Sequence, residues 1–199
     1  MWRNEMMRIV LILSIFASYA VSDHCVRYAF EQNYSEWLTH ERNVICDSTP
    51  FWVESKYSDI DLSDKNDESN TFIKPAAFSD LSCVSSFIFT MHRGGRIEVN
   101  IYMEAKPLNN FIIIASLVEN PNEFLGNAWN LASASDFVTG WHTVKLTLYR
   151  EGTYQGYISI MGMAEPDSIV LVDSFRYIPP GMNESHCRVY EDEQTTPET

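Results

Sequence analysis

Four cysteines behind a secretory leader constrain this chain more than any other feature. Cys25, Cys46, Cys83 and Cys187 all follow an apolar run, Ile9 to Val21, that is preceded by Arg3 and Arg8. The run is too short to span a bilayer. Ser18 with Ala20, or Ala20 with Ser22, supplies the small-x-small pattern of a cleavage site. Residues 1–22 are therefore read as a signal peptide and set apart from the folded domain. Export carries the thiols into an oxidising compartment, where an even number reads as a disulfide framework. Four cysteines permit three pairings, and the residues alone choose none of them.

The remaining chain, about 177 residues, is one domain's length and enough for a sizeable core. Losing Arg3, Arg8 and Glu5 with the leader moves the formal net charge from -13 to -14. Such a chain repels phosphate backbones and anionic lipid, so neither nucleic acid nor an acidic membrane surface is an expected partner. Cationic partners or bound calcium are compatible with the charge, and so is plain solubility. No second apolar run approaches membrane-spanning length, and the C-terminus carries no lipidation signal.

Past the leader the sequence reads as β-strands joined by polar loops. Residues 81–91 (LSCVSSFIFTM) are rich in β-formers, and His92-Arg93-Gly94-Gly95 supplies a turn. Residues 96–104 alternate Ile97, Val99, Ile101 and Met103 against Arg96, Glu98, Asn100 and Tyr102, a strand with one buried face. Residues 111–118 (FIIIASLV) form a nearly continuous apolar run, which predicts a central strand. Residues 141–149 alternate again, with Trp141, Thr143, Lys145 and Thr147 opposite Val144, Leu146 and Leu148. Residues 154–161 and 168–177 complete the set. Turn signals recur every eight to fifteen residues, so a β-sandwich is predicted rather than a βαβ fold. Residues 57–70 (YSDIDLSDKNDESN) read as a long acidic surface loop, and residues 188–199 as an acidic disordered tail after a domain over 23–187.

Several of these elements together resemble the MAM domain, an extracellular module. Cys25 followed by Phe30-Glu31 is similar to the family's opening. Cys83 starts a strand that precedes a glycine turn and the alternating strand 96–104. Trp129-Asn130 and Gly140-Trp141 resemble its central tryptophans, and residues 169–175 (IVLVDSF) with Cys187 resemble its closing strand and last cysteine. The chain departs from the pattern in the four residues between Cys25 and Phe30, and in Asp47-Ser48 where the family has Gly-Trp. The resemblance implies an all-β, two-sheet antiparallel jelly-roll sandwich. It also implies the pairs Cys25–Cys46 and Cys83–Cys187, in which the longer second loop would carry more of the stabilisation.

No nucleophile elbow and no zinc-binding helix motif occurs. His24, His40, His92, His142 and His186 are scattered singly, and His142 is expected on a strand surface. Cys187 beside His186 is read as half of a disulfide rather than a nucleophile. Two ion sites are candidates. Asp59, Asp61, Asp64 and Asp67 crowd the acidic loop with the hard oxygens that calcium takes, but without an EF-hand pattern. The MAM resemblance points instead to Glu31 and Asp173 as calcium ligands. Asp173 lies in an apolar strand, so its carboxylate needs a partner, whether a metal, a backbone amide or an arginine such as Arg176. Trp129 and Trp141 are read as core residues, with a sugar-stacking platform as the functional alternative. Asn33 and Asn183 head glycosylation sequons.

These readings predict a secreted, non-enzymatic, MAM-like interaction domain that binds extracellular protein partners in adhesion, assembly or signalling. The alternative is a carbohydrate-binding, lectin-like module. Exposed aromatics on a sheet would favour the second, and a flat apolar patch with a polar rim the first. The residues do not name the partner or the oligomeric state.

Overall fold

In a computed structural model of the chain, the described residues are 24–31, 34, 45–62, 69–76 and 81–190. Eleven strands are described: β1 (Val26–Ala29), β2 (Trp52–Lys56), β3 (Thr71–Pro75), β4 (Ser82–Ser85), β5 (Phe89–His92), β6 (Arg96–Met103), β7 (Asn110–Leu117), β8 (Phe124–Leu131), β9 (Gly140–Thr147), β10 (Thr153–Met163) and β11 (Val170–Ile178). They form two sheets, and every strand pairing is antiparallel. The six-stranded sheet runs β2-β3-β11-β6-β9, with β1 also on β11. The five-stranded sheet runs β4-β10-β7-β8, with β5 also on β10. The expected sandwich is therefore the fold.

Period-two alternation explains how the sheets stack. Ile97, Val99, Ile101 and Met103 of β6 point inward, as do Phe111, Ile113 and Ala115 of β7, and all are fully buried. They meet Ile158 and Ile160 of β10 and Val170, Val172, Phe175 and Tyr177 of β11 in one core. Trp52 ties the sheets together. It lies on β2 of one sheet, and its indole N–H donates to the Ile160 carbonyl of the other, 3.1 Å away. A Cβ on Gly162 would come within 2.6 Å of the Trp52 ring, so β10 needs glycine there.

The disulfides correct the expected pairing. Cys25 bonds Cys187, and Cys46 bonds Cys83. Neither bond of the MAM resemblance forms, which removes the main structural support for that resemblance. The reason lies in the topology. β1 pairs with β11, so the residue before β1 lies close to the chain that follows β11. Cys46 meets Cys83 instead, where Cys83 N–H donates to the carbonyl of Pro50 at 2.8 Å.

Other boundaries shift as well. The β-rich stretch 81–91 is two strands, β4 and β5, which pair with different parts of β10. Within the acidic loop, Tyr57–Asp59 form one 3-10 turn and Tyr57 is buried; Asp64 and Asp67 lie outside the described residues. The chain stays packed through Tyr190, beyond the tail boundary drawn at 188, and residues 191–199 lie outside the described set. So do the signal peptide, His40 and the sequon residue Asn33.

Candidate functional site

The outer face of the six-stranded sheet is built from the polar half of the alternation, and strand register arranges it in rows. Leu171 on β11, Tyr102 on β6 and Trp141 on β9 make an aromatic and aliphatic row, and Phe72 of β3 joins the same packed cluster. Tyr102 and Trp141 are direct cross-strand partners whose rings meet edge to face at 5.6 Å. In the next row, Thr143 donates to Asn100 at 2.8 Å and the Asn100 amide donates to Ser174 at 3.1 Å. The third row pairs Arg27, Arg176, Glu98 and Lys145 across four strands. Arg96 and Thr147 follow in a fourth.

Glu98 is only 3% exposed and is the centre of the charged row. Arg176 bonds one carboxylate oxygen through two nitrogens, at 2.9 and 2.6 Å. Arg96 and Lys145 lie 2.7 and 3.2 Å from the other oxygen. Burial works against the charged form, but the hydrogen bond and charge of Arg176, then Lys145 and Arg96, outweigh it and hold the carboxyl below its ordinary range. A buried charge that loses its partners is expensive. Glu98→Ala, which leaves three cations to repel one another, should therefore cost about 3 kcal/mol. With its folded pKa depressed, Glu98 contributes fully above the ordinary glutamate range, and the contribution disappears as pH falls through the lower folded value. Melting curves of wild type and Glu98→Gln, run from neutral to acid pH, should converge at the acid end. A gap independent of pH would exclude the ion row as its source.

Above the first row, Tyr57 packs on Phe72 at 4.8 Å and reaches Trp141 at 6.5 Å between ring centres. Asp173 anchors this roof. It is fully buried, and its Oδ1 accepts from the Tyr57 hydroxyl at 2.9 Å and Ser69 at 2.8 Å. Its Oδ2 accepts from the Tyr190 hydroxyl at 3.0 Å. The partners are hydroxyls rather than Arg176, which serves Glu98 instead. Burial, reinforced by the Asp173 charge, pushes both phenols well above their ordinary range, so they stay protonated and donate at neutral pH.

Glu31 accepts from the backbone N–H groups of Asn70 and Thr71. The two acids of the expected calcium pair thus grip one segment, residues 69–71, but through hydrogen bonds. Among the described residues, no group of three or more His, Cys, Asp or Glu side chains is placed to hold a metal ion.

The tryptophans part company. Trp129 is not core: it is 62% exposed on β8, at the edge of the five-stranded sheet. Its neighbour Ala128 packs on the core instead, and a Cβ on Gly126 would lie 2.9 Å from Leu146. Trp141 is half-buried on the opposite outer face, so the two form no shared platform. His142 points inward rather than out, stacked on Phe137 at 4.8 Å and 2.8 Å from the Val138 carbonyl.

The chain is similar in fold to domains among solved structures. An adhesin domain of the Lys-gingipain of Porphyromonas gingivalis matches with a TM-score of 0.52 and 13% identity, over 79% of this chain and 99% of that one. The C-terminal carbohydrate-binding module of a laminarinase from Zobellia galactanivorans matches at 0.43 and 13%, over 78% and 99%. A β-1,3-glucan-binding module from Bacillus halodurans matches at 0.37 and 17%, over 66% and 88%. The likeness shows the fold. No protein-family model and no curated protein matches this chain.

Sequence reasoning placed Asp173 and Glu31 in the site region but missed Tyr57, Ser69 and Tyr190, which sit in stretches read as loop and tail. The alternation did mark Arg96, Glu98, Asn100, Tyr102, Trp141, Thr143 and Lys145 as two polar faces. Only the β6–β9 pairing makes them one surface.

Proposed function

We propose that this chain is a secreted, non-enzymatic binding module and that the outer face of its six-stranded sheet takes a glycan. The observation that supports this is the row order on β6 and β9: an aromatic pair, then a hydroxyl–amide–hydroxyl chain, then charged groups, all on rigid strands. An indole and a phenol offer apolar surface to the C–H face of a sugar ring. Thr143 and Asn100 offer donors and acceptors to its hydroxyls, and the buried Ser174 holds the Asn100 amide in place from beneath. Strands hold these groups in place, so little ordering is required on binding. Glu98, the buried acid of the face, is bonded to Arg176, Arg96 and Lys145, and held ionised it is a poor general acid; this supports binding rather than catalysis. Two disulfides join all four cysteines, and no helix among the described residues is long and apolar enough to cross a membrane, which supports an exported domain. Asn183 is exposed, and its side-chain oxygen accepts from Ser185, which fits a glycosylation acceptor.

A second reading, a protein partner, has its own support on the other sheet. Phe124, Trp129 and Leu131 project from the outer side of β8 and are exposed. They pair with β7 beside Ile112 and Ile114. Such a strip suits an apolar protein surface.

A glycan array probed with wild type, Trp141→Ala and Trp129→Ala separates the two. Binding by wild type and Trp129→Ala, weakened about tenfold or more in Trp141→Ala, supports the six-stranded face. Loss only in Trp129→Ala would move the site to β8. Silence of the wild type on the array, with capture of a secreted protein that Trp129→Ala abolishes, would favour the protein-binding reading.

A further inference from the structure

We infer that the glycan bound on this face is acidic, with carboxylate or sulfate groups lying over the cationic row at its far end from Trp141. The inference rests on the glycan reading and narrows it. Arg27, Arg96, Lys145 and Arg176 gather within two adjacent rows of a chain whose net charge is -13. Among the described residues two carboxylates are bonded to them, Glu98 and Glu184. Two negative charges against four positive ones leave an excess of two among the described residues. Arg27 stands directly opposite Arg176 on the neighbouring strand, and like charges so placed repel. Arg27 is exposed and donates to the Arg188 carbonyl at 3.2 Å, a neutral acceptor, and no ion pair to a carboxylate is seen for it among the described residues. Lys145 is 53% exposed at the other end of the row. The row therefore presents excess positive charge to solvent at both ends.

The chain as a whole repels polyanions, yet at physiological salt the screening length is about 8 Å, so a ligand seated here responds mainly to the row beneath it. Along β9, Trp141 and Lys145 are four residues apart, about 13 Å at the strand rise. An extended oligosaccharide can thus stack a ring on Trp141 and Tyr102, hydrogen-bond to Thr143 and Asn100, and set one anionic substituent against Lys145 and a second against Arg27, three strands or about 14 Å away across the row. The aromatic and amide rows distinguish this ligand from a simple acidic peptide. The cationic row distinguishes it from a neutral glucan.

Matched probes test the inference by calorimetry: oligogalacturonate against its methyl ester, and dextran sulfate against dextran. Wild type should bind at least one acidic member about tenfold more tightly than its neutral partner, and which pair responds tells carboxylate from sulfate. Arg27→Gln and Lys145→Gln, whose side chains are exposed, should each remove most of that preference while leaving the melting temperature close to wild type. Trp141→Ala should weaken the acidic and neutral members alike. Equal binding of charged and neutral partners would overturn the acidic class and leave the glycan reading standing. Binding of none of the four would overturn both. Polyglutamate bound as tightly as the acidic saccharide, and unaffected by Trp141→Ala, would overturn the saccharide class.

Discussion

Removing the Cys25–Cys187 bond by a double serine substitution should cost the domain about 5 kcal/mol on the loop-entropy estimate, against about 4 kcal/mol for Cys46–Cys83. The first bond closes a separation of 162 residues and the second one of 37. The larger loss approaches the whole stability of many domains, so the variant lacking Cys25 and Cys187 should be secreted poorly, and any recovered protein should melt in dilute urea. The order reverses the one that follows from the MAM resemblance, where Cys83 belonged to the long loop. Urea titration followed by tryptophan fluorescence, with non-reducing peptide maps of the wild type, checks both points. A greater loss in the Cys46 and Cys83 variant, or peptides linking Cys25 to Cys46, would refute the pairing. A physical reason reinforces the entropy estimate. Cys25 precedes β1, which is only four residues long, and releasing it frees the strand that pairs with the C-terminal half of β11.

Asp173→Ala should destabilise the fold by about 4 kcal/mol, because three hydroxyl donors lose one shared, charged acceptor in a site closed to water. Asp173→Asn keeps the shape but turns one acceptor into a donor facing a hydroxyl, and should cost about 2 kcal/mol. Tyr57→Phe and Tyr190→Phe remove one donor each and should cost about 1.5 kcal/mol. The variants share one acceptor, so their effects should not add. The same melts, run in calcium and in chelator, address the ion expected at Glu31 and Asp173. Tyr57, Ser69 and Tyr190 aim their O–H groups at the carboxylate that calcium would need. The wild-type melting temperature should therefore be indifferent to calcium. A rise with calcium that Asp173→Asn abolishes would restore the ion. Loss of Asp173 should also loosen Tyr57 from Trp141, so reduced glycan binding in Tyr190→Phe without loss of fold would tie the roof to the site.

The fold was legible where one face of a strand is buried and the other is not. Ile97 to Met103 and Val144 to Leu148 alternate because each strand separates core from solvent, whereas residues 111–117 run apolar because Ile112 and Ile114 add half-buried apolar side chains on the outer face of β7 to the buried Phe111, Ile113 and Ala115. The short strands β1, β2 and β3 carry too few residues to show a period. β8 misled the reading for a different reason: it turns its large side chains outward and packs Gly126 and Ala128 inward, against a neighbour that has filled the space. Hydrophobicity says that a tryptophan prefers burial, but not that the room has been taken.

The sequence by itself determined the sandwich, the membership of all four cysteines in a disulfide framework, and the need of Asp173 for a partner. Each follows from a local property: period, composition, parity of a count, or a charged group among apolar neighbours. Only the tertiary structure decided which cysteines pair, that the partners of Asp173 are Tyr57, Ser69 and Tyr190, and that Arg27, Arg176, Glu98 and Lys145 form one row. Those pairings join residues as many as 162 positions apart. They are set by strand order and register, which depend on how all eleven strands share one core and on no single segment.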